Sequence, residues 1–306
     1  MLSDIRSVHF VGICGTAMAS AAAAMQERGF RVTGSDANVY PPMSTFLAER
    51  KVEVISGYDE KNLAAKPDLV VIGNAMSRGN AEIEAVLDRK LRYCSLPELL
   101  KEFFIRGKRS LVVSGTHGKT TTTSLLTWVF ECAGLNPSYL IGGIPTNLGQ
   151  GARFTDSEWF IIEGDEYDTA FFDKRSKFIH YLPELAIVNN LELDHADIFS
   201  DVAAVQKSFS HLIRLIPRNG LLLGNGDDPN LAPLLNVTHC PVKRFGLNES
   251  NAVRAFNLQL GATASAFEIP SCRFQVNLVG ELNVRNRSEE HTSELQSLAY
   301  LVCRLL

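Results

Sequence analysis

The feature that most constrains the fold is a short loop, GTHGKT at residues 115–120, between an apolar segment and a helix-forming segment. Residues 111–113 are apolar and β-branched in character, as in a buried strand, and residues 121–130 read as a helix. A strand, a glycine-containing loop and a helix in this order form the context in which backbone amides bind phosphate. The loop therefore predicts an α/β domain with a nucleotide phosphate at the strand-to-helix junction.

Two polar residues of this loop have a chemical role in that interpretation. Lys119 would neutralise the β and γ phosphates, and the hydroxyl of Thr120 would bind magnesium. The general phosphate-loop pattern has glycine where this chain has Val113, so only the compact part of the motif is present. The alternative is a surface turn.

The amino-terminal part of the chain repeats the order of strand, turn and helix. Residues 8–11 predict a strand, GICG at residues 12–15 predicts a turn, and the alanine-rich residues 16–28 predict a helix. A second strand at residues 31–35 ends at Asp36, where such folds place a carboxylate on a ribose. The sequence predicts a Rossmann-like nucleotide-binding domain. A purely structural turn is the alternative, because GICGTA departs from GxGxxG.

Two further strands are predicted in this domain, at residues 52–55 and 69–72. Asn74 and Ser77 follow the second of them. Polar residues after a strand line the crevice of such a sheet, but they are also ordinary turn residues. Ligand contact and a simple turn both remain open for this pair.

Carboxylates follow the apolar run at residues 159–162, namely Glu163, Asp165, Glu166 and Asp168. A divalent cation would offset the repulsion between such close charges, so the cluster is a candidate metal site. A solvated acidic loop is the alternative.

Two other side chains are candidates for the same chemistry. His195 follows a predicted strand at residues 186–189, and Lys207 lies in the amphipathic segment 202–216. His195 is either a metal or phosphate contact or a structural histidine. Lys207, taken alone, is a solvated helix charge.

Length and composition bound the class of protein. A chain of 306 residues is long enough for two domains, and its 45% hydrophobic and 21% charged residues are typical of a globular protein. A net charge of -4 gives no electrostatic support for a nucleic-acid or anionic-membrane partner.

The six cysteines form no CxxC pair, so neither a zinc site nor a disulfide framework is predicted. No apolar run approaches the roughly 20 residues of a membrane span and no signal peptide is evident, so we expect a cytoplasmic protein without membrane insertion.

Three segments, GTHGKTTT at residues 115–122, EGDEYD at 163–168 and NNLELDHADIF at 189–199, resemble those of the muramyl (Mur) ligase superfamily. The resemblance implies an enzyme that joins a uridine-diphosphate sugar acid to an amino acid or peptide, using ATP and Mg²⁺. The reaction would pass through an acyl phosphate and yield ADP and phosphate.

Three other segments resemble one branch of that superfamily: GSDANVYPPMSTFL at residues 34–47, VIGNAMSRGN at 71–80 and FFDKRSKFIHY at 171–181. They imply UDP-N-acetylmuramate and the murein tripeptide L-Ala-γ-D-Glu-meso-diaminopimelate as substrates, in peptidoglycan recycling. The branch that adds L-alanine to the same sugar nucleotide is the alternative. Two other classes remain open, a non-catalytic nucleotide-binding fragment and an NAD-dependent oxidoreductase.

The resemblance also implies the site residues. Those implied to bind the UDP-sugar are Gly12, Thr16, Ala17, Met18, Ser35, Asp36, Asn74 and Ser77. Those implied to bind ATP are Gly115, Thr116, His117, Gly118, Lys119, Thr120, Thr121 and Asn283, although Leu282 stands where many members have histidine. Those implied to act in catalysis are Lys119, Glu163, His195 and Lys207, with Thr120, Glu163 and His195 as metal ligands. Lys207 matches a lysine that some relatives carbamylate.

The expected organisation is a UDP-sugar-binding Rossmann-like domain at residues 1–107 and a central P-loop α/β ATPase domain at residues 108–286. The superfamily adds a carboxyl-terminal ligase domain, and we expect that domain to be absent from this chain. We expect a fragment that binds nucleotides without ligating. Residues 287–306 are expected to be a non-native tail, because residues 287–297 resemble a translated sequencing adapter; an amphipathic helix is the alternative. The sequence leaves the oligomeric state open.

Overall fold

The computed structural model describes residues 4–194, 199–260, 265–269 and 272–276. These residues form two compact units. The first unit comprises residues up to 106 together with 151–154 and 167–180, and the second comprises 107–150, 155–166 and the described residues from 181 onwards. The contiguous division expected from the sequence did not anticipate that two short later stretches pack with the first unit.

The described chain contains both strands and helices, which alternate along most of its length. The strands are β1 (Ser7–Val11), β2 (Arg31–Asp36), β3 (Glu53–Ser56), β4 (Leu69–Ile72), β5 (Tyr93–Ser95), β6 (Arg109–Ser114), β7 (Ser138–Leu140), β8 (Ala152–Arg153), β9 (Trp159–Gly164), β10 (Asp168–Ala170), β11 (Asp173–Ser176), β12 (Leu185–Val188), β13 (Leu221–Asn225), β14 (Val242–Gly246), β15 (Val253–Arg254), β16 (Phe256–Leu260), β17 (Ser265–Ile269) and β18 (Cys272–Val276). The α-helices are α1 (Thr16–Glu27), α2 (Met43–Glu49), α3 (Ala81–Asp88), α4 (Leu96–Leu100), α5 (Lys119–Cys132) and α6 (Val202–Arg214). Short 3₁₀ helices span Glu60–Leu63, Lys177–His180 and Ala232–Leu235, and a π-helical turn spans Lys101–Ile105.

The first unit is built on a parallel sheet with the strand order β3-β2-β1-β4-β5. β1 and β4 are buried along their whole length. β4 is continuously apolar, as expected of a buried parallel strand, whereas β1 also buries Ser7 and His9. The alanines of α1 include three with no exposed surface, Ala19, Ala21 and Ala22. The predicted Rossmann-like parallel sheet is confirmed. Its order places the carboxyl ends of β1, β2 and β4 at one edge, where such sheets bind ligands.

The second unit contains a larger parallel sheet with the order β15-β14-β13-β12-β6-β9-β7. Three neighbouring strands, β12, β6 and β9, supply fully buried residues such as Val113, Ile161 and Ile187. The helix predicted at residues 121–130 begins two residues earlier, at Lys119, because the lysine and Thr120 form its first turn. A separate antiparallel sheet consists of β16, β17 and β18.

Within the part of the chain that the structure describes, no helix is both long enough and apolar enough to cross a membrane. The longest of the described helices, α5, has 14 residues and carries several threonines.

Candidate nucleotide-binding sites

The loop between β6 and α5 has a backbone shape that requires glycine. Gly118 adopts a left-handed conformation, with φ 79°, at the cap position before α5. Gly115 has φ +138°, and a Cβ there would lie 3.1 Å from the backbone nitrogens of Asn189 and Asn190. A side chain at either position would strain the loop, so both glycines are structural requirements of this turn.

The residues that follow β12 hold this loop in place. The amide of Thr116 donates to the Asn190 carbonyl over 3.0 Å, and the amide of His117 donates to the Asn190 Oδ1 over 2.8 Å. The amide of Glu192 donates to the Thr116 hydroxyl over 2.9 Å. The loop is therefore shaped by hydrogen bonds to the neighbouring strand end.

The amides of residues 118–121 have no acceptor among the residues that the structure describes. Such unsatisfied amides are a general property of the first helical turn, and together with the helix dipole they favour an anion. The amides of Thr116 and His117 already donate to Asn190, whereas these four amides are available to a ligand.

The ammonium group of Lys119 lies at the centre of this loop and is largely buried, with 11% of its side chain exposed. It donates to the carbonyl oxygens of Gly115 and Thr116 over 2.8 and 3.0 Å. It also forms an ion pair with Glu166, whose Oε2 is 3.0 Å away. Burial raises the pKa of the Glu166 carboxyl, and the charge of Lys119 opposes that rise.

Glu163, at the end of β9, faces the first turn of α5. Its Oε1 accepts the hydroxyl of Thr120 over 2.8 Å, and its Oε2 accepts the amide of Gly142 over 2.7 Å. Burial raises the pKa of the Glu163 carboxyl against the effect of both hydrogen bonds. A carboxylate and a hydroxyl placed together are oxygen ligands of the kind that Mg²⁺ prefers.

The structure brings together only part of the predicted metal and catalytic set. Among the described residues, no group of three or more His, Cys, Asp or Glu side chains is arranged to hold a metal. Thr120 and Glu163 are in contact, whereas His195 and Asn283 lie outside the described residues. Lys207 is exposed on α6 and makes no hydrogen bond to Glu163 or Thr120.

The acidic residues that are clustered in the sequence do not all have the same surroundings in the fold. Glu163 and Glu166 contact residues of α5, whereas Asp168 pairs with Lys174 over 2.8 Å in the first unit. The lysine of that pair is 69% exposed. Asp168 therefore has the solvated character that was the alternative interpretation of the cluster.

In the first unit, three loops meet at the carboxyl edge of the sheet. Gly12 has φ +85° and donates its amide to the Ser35 carbonyl over 2.9 Å. The amide of Cys14 donates to Asp36 Oδ2 over 2.9 Å. A Cβ at Gly12 would lie 3.4 Å from the Met76 Cε, so the loop after β4 reaches the turn after β1.

The other predicted UDP-sugar residues differ in how accessible they are. Thr16, Asn74 and Ser77 are exposed, Ala17 is half-buried, and Met18 is buried in the first turn of α1. The carboxylate of Asp36 also accepts the amide of Asn38 over 3.0 Å, so both of its oxygens shape the backbone.

Ser35 is fully buried, and its hydroxyl donates to Glu82. Its carbonyl, which accepts the amides of Gly12 and Ile13, is the group that shapes the turn.

Sequence reasoning missed Glu82, a carboxylate with no exposed surface in the first turn of α3. It accepts hydrogen bonds from the Ser35 hydroxyl and the Asn62 side-chain amide, and its Oε2 lies 3.6 Å from the His9 Nε2. An acidic residue two positions after the helix-capping Asn80 is ordinarily a solvated first-turn charge. No local pattern distinguishes Glu82 from that common case.

We expect Glu82→Ala to lower the free energy of unfolding of the chain by about 3 kcal/mol, because it leaves buried polar partners without an acceptor. Denaturant unfolding measures this change. The matched control is Glu49→Ala, since Glu49 is exposed on α2, and we expect it to change stability by less than about 0.5 kcal/mol. Equal changes in the free energy of unfolding for the two substitutions would show that the buried hydrogen bonds of Glu82 do not stabilise the fold.

The first unit also contains a cavity of about 330 Å³ that includes none of the predicted site residues. Most of the residues that line it come from β5, α4, the π-helical turn, β11 and the 3₁₀ helix that follows β11, and they include Tyr93, Cys94, Lys101 and His180. His180 is hydrogen-bonded to Asp173 over 3.1 Å. The hydrogen bond from Arg175 is the main reason that the pKa of Asp173 is lowered to about 2.

Two family models together cover most of the chain. Residues 7–108 match the model described as the Mur ligase family, catalytic domain, and residues 113–288 match the Mur ligase middle domain. The boundary between them, near residue 110, coincides with the start of β6.

Relatives and solved structures agree with these matches. The chain is 54% identical over 287 residues to a Haemophilus influenzae protein named UDP-N-acetylmuramate--L-alanyl-gamma-D-glutamyl-meso-2,6-diaminoheptandioate ligase, covering 92% of this chain and 63% of that protein. It is 52% identical over 224 residues to the Escherichia coli protein of the same name, covering 73% of this chain and 49% of that protein.

The chain thus spans about half to two thirds of the length of these relatives. A crystal structure from Neisseria meningitides, of UDP-N-acetylmuramate:L-alanyl-gamma-D-glutamyl-meso-diaminopimelate ligase, superposes with a TM-score of 0.83 at 40% identity. The superposition covers 96% of this chain and 97% of that one. The chain therefore belongs to the Mur ligase family.

Proposed function

We propose that this chain carries the nucleotide-binding part of a ligase that joins UDP-N-acetylmuramate to L-Ala-γ-D-Glu-meso-diaminopimelate. The observation that carries the proposal is the set of amides at residues 118–121, which have no acceptor in the described part of the chain, beside the buried ammonium of Lys119 and the pair of Thr120 and Glu163. The names of the Haemophilus, Escherichia and Neisseria relatives support the choice of substrates.

The first chemical step in this proposal is phosphoryl transfer. An oxygen of the muramate carboxylate attacks the γ phosphorus of ATP, the bond to the β–γ bridging oxygen breaks, and ADP leaves. Two anions must approach each other in this step, so fixed positive charge is required where the phosphoryl group transfers. Lys119 and the amides at residues 118–121 would supply that charge.

The second step forms the amide. The amine of the tripeptide attacks the acyl carbon, phosphate leaves, and the nitrogen gives up a proton. A carboxylate is a poor electrophile before this activation, which is why the reaction needs ATP.

Glu163 and Thr120 would hold Mg²⁺ in this proposal, and their oxygen donors fit that cation. When bound, the ion would offset negative charge on the phosphates. Glu163 accepts hydrogen bonds from Thr120 and Gly142, which fix the direction of its carboxylate towards the first turn of α5.

The uridine diphosphate would occupy the carboxyl edge of the sheet in the first unit. The first turn of α1, which includes Thr16 and Ala17, provides helix amides for the diphosphate. Asp36 and the loop with Asn74 and Ser77 border the same edge.

Titration calorimetry with three ligands tests this proposal. We expect the chain to bind ATP in a Mg²⁺-dependent manner, to bind UDP-N-acetylmuramate independently of Mg²⁺, and not to bind NAD. Tight binding of NAD without binding of ATP would instead favour an oxidoreductase and would refute the ligase assignment.

A further inference from the structure

The ammonium group of Lys119 uses all of its hydrogen-bonding capacity within the protein. A lysine ammonium has three N–H donors and no acceptor. Here it has three partners, the carbonyl oxygens of Gly115 and Thr116 and the carboxylate of Glu166. A phosphate group can therefore contact Lys119 only by displacing one of these partners.

Glu166 is the only anion among these partners, and it is nearly inaccessible to solvent, with 3% of its side chain exposed. A carboxylate buried to this extent needs a cation, because desolvation otherwise strongly disfavours its charge. Its contacts with Lys119 are 3.0 and 3.2 Å long, one to each carboxylate oxygen. The lysine thus meets a negative charge within the protein.

We propose that Glu166 is a positioning residue that stands in for phosphate, pairing with Lys119 until a nucleotide phosphate displaces its carboxylate. This inference rests on the proposed function, because it assumes that Lys119 binds the β or γ phosphate of ATP. Glu166 keeps the ammonium oriented in the loop before ATP arrives. It also competes with the phosphates, so the same residue weakens nucleotide binding and favours release of ADP.

The substitution Glu166→Gln separates these effects, since glutamine has nearly the same shape and can still accept a hydrogen bond, but carries no charge. We expect Mg²⁺-ATP and Mg²⁺-ADP to bind about tenfold more tightly, the size expected when one charge-assisted hydrogen bond no longer has to be broken. AMP, which lacks the β and γ phosphates, should bind unchanged. Titration calorimetry on the full chain measures all three affinities.

The matched control is Glu184→Gln, because Glu184 is also paired with a cation, Arg109, in the second unit but is 32% exposed. We expect it to leave ATP affinity within about twofold of the original. Unchanged or weaker ATP binding by the Glu166→Gln chain would overturn the inference.

Should that chain fail to fold in a thermal unfolding assay, Glu166→Asp is the second variant. Because the shorter carboxylate of aspartate reaches Lys119 less well, the Glu166→Asp chain should bind ATP more tightly than the original chain, and weaker binding would overturn the inference.

A double-substitution cycle tests whether the effect passes through Lys119. In the Lys119→Met background, Glu166→Gln should no longer tighten ATP binding, because there is no ammonium for which Glu166 and the phosphates could compete. A tenfold gain that persists without Lys119 would reveal only a general electrostatic effect and would refute a stand-in role. If the original chain does not bind Mg²⁺-ATP, the proposed function fails as well. If it binds and Glu166→Gln brings no gain, only this inference fails.

Discussion

Replacing Lys119 by alanine is expected to weaken Mg²⁺-ATP binding by at least about a hundredfold and to abolish acyl phosphate formation, because a charge-assisted contact to the phosphates is lost. The carbonyl oxygens of Gly115 and Thr116, before α5, hold the ammonium, and Lys119 is the only lysine of the GTHGKT loop, so no neighbour in the loop can replace it. Titration calorimetry measures the binding, and trapping of the acyl phosphate measures the transfer.

Lys243→Ala is the control for that experiment. Lys243 lies in the second unit, on β14, and is exposed, so its removal should leave ATP binding within about twofold. Near-normal phosphoryl transfer in the Lys119→Ala chain would contradict the role assigned to this lysine.

The second large effect is expected at Glu163. Glu163→Gln should remove most of the Mg²⁺ dependence of ATP binding, because a neutral amide is a poor magnesium ligand. At saturating Mg²⁺ the affinity for ATP should therefore fall by about a hundredfold. The measurement is an ATP titration at a series of Mg²⁺ concentrations. The exposed Glu158, next to β9, provides the control substitution Glu158→Gln.

The stability of the Glu163→Gln chain distinguishes a lost ligand from a lost fold. Burial raises the pKa of this carboxyl in the folded chain above its unfolded value. Its contribution to stability is therefore complete below the unfolded pKa and is lost as pH rises through the folded one. A neutral glutamine avoids that loss, so in metal-free buffer at pH 7 we expect a melting temperature no lower than that of the original chain. A strongly lowered melting temperature would mean that Glu163 serves the fold instead.

Much of the fold was predictable because local patterns and tertiary structure agree in it. The apolar runs at residues 8–11, 69–72 and 159–162 became buried parallel strands, and the alanine-rich segment became α1. The turn between β6 and α5 was also predictable from its glycines, since a strand-to-helix turn with left-handed residues strongly favours glycine at those positions. Family membership, in turn, favours a ligase over the NAD-dependent oxidoreductase.

The pairings that depend on distant parts of the chain were not predictable. Glu82 looks like a solvated helix acid until the fold places Ser35, Asn62 and His9 around it. Glu166 appeared as one of four clustered acids, and only the juxtaposition of the end of β9 with α5 pairs it with Lys119. Contacts between residues 47 apart in sequence leave no local pattern to read.

The hydrogen bonds that the amides of the β6–α5 loop donate to Asn190, after β12, affect how such a site binds its ligand. Because Asn190 accepts the amides of His117 and Thr116 within the protein itself, ordering of the loop occurs during folding. Incoming nucleotide then meets a rigid receptor and loses less affinity to restricted backbone motion. The same six-residue sequence, GTHGKT, grafted onto a surface without a neighbouring strand end would form a flexible loop that binds anions weakly.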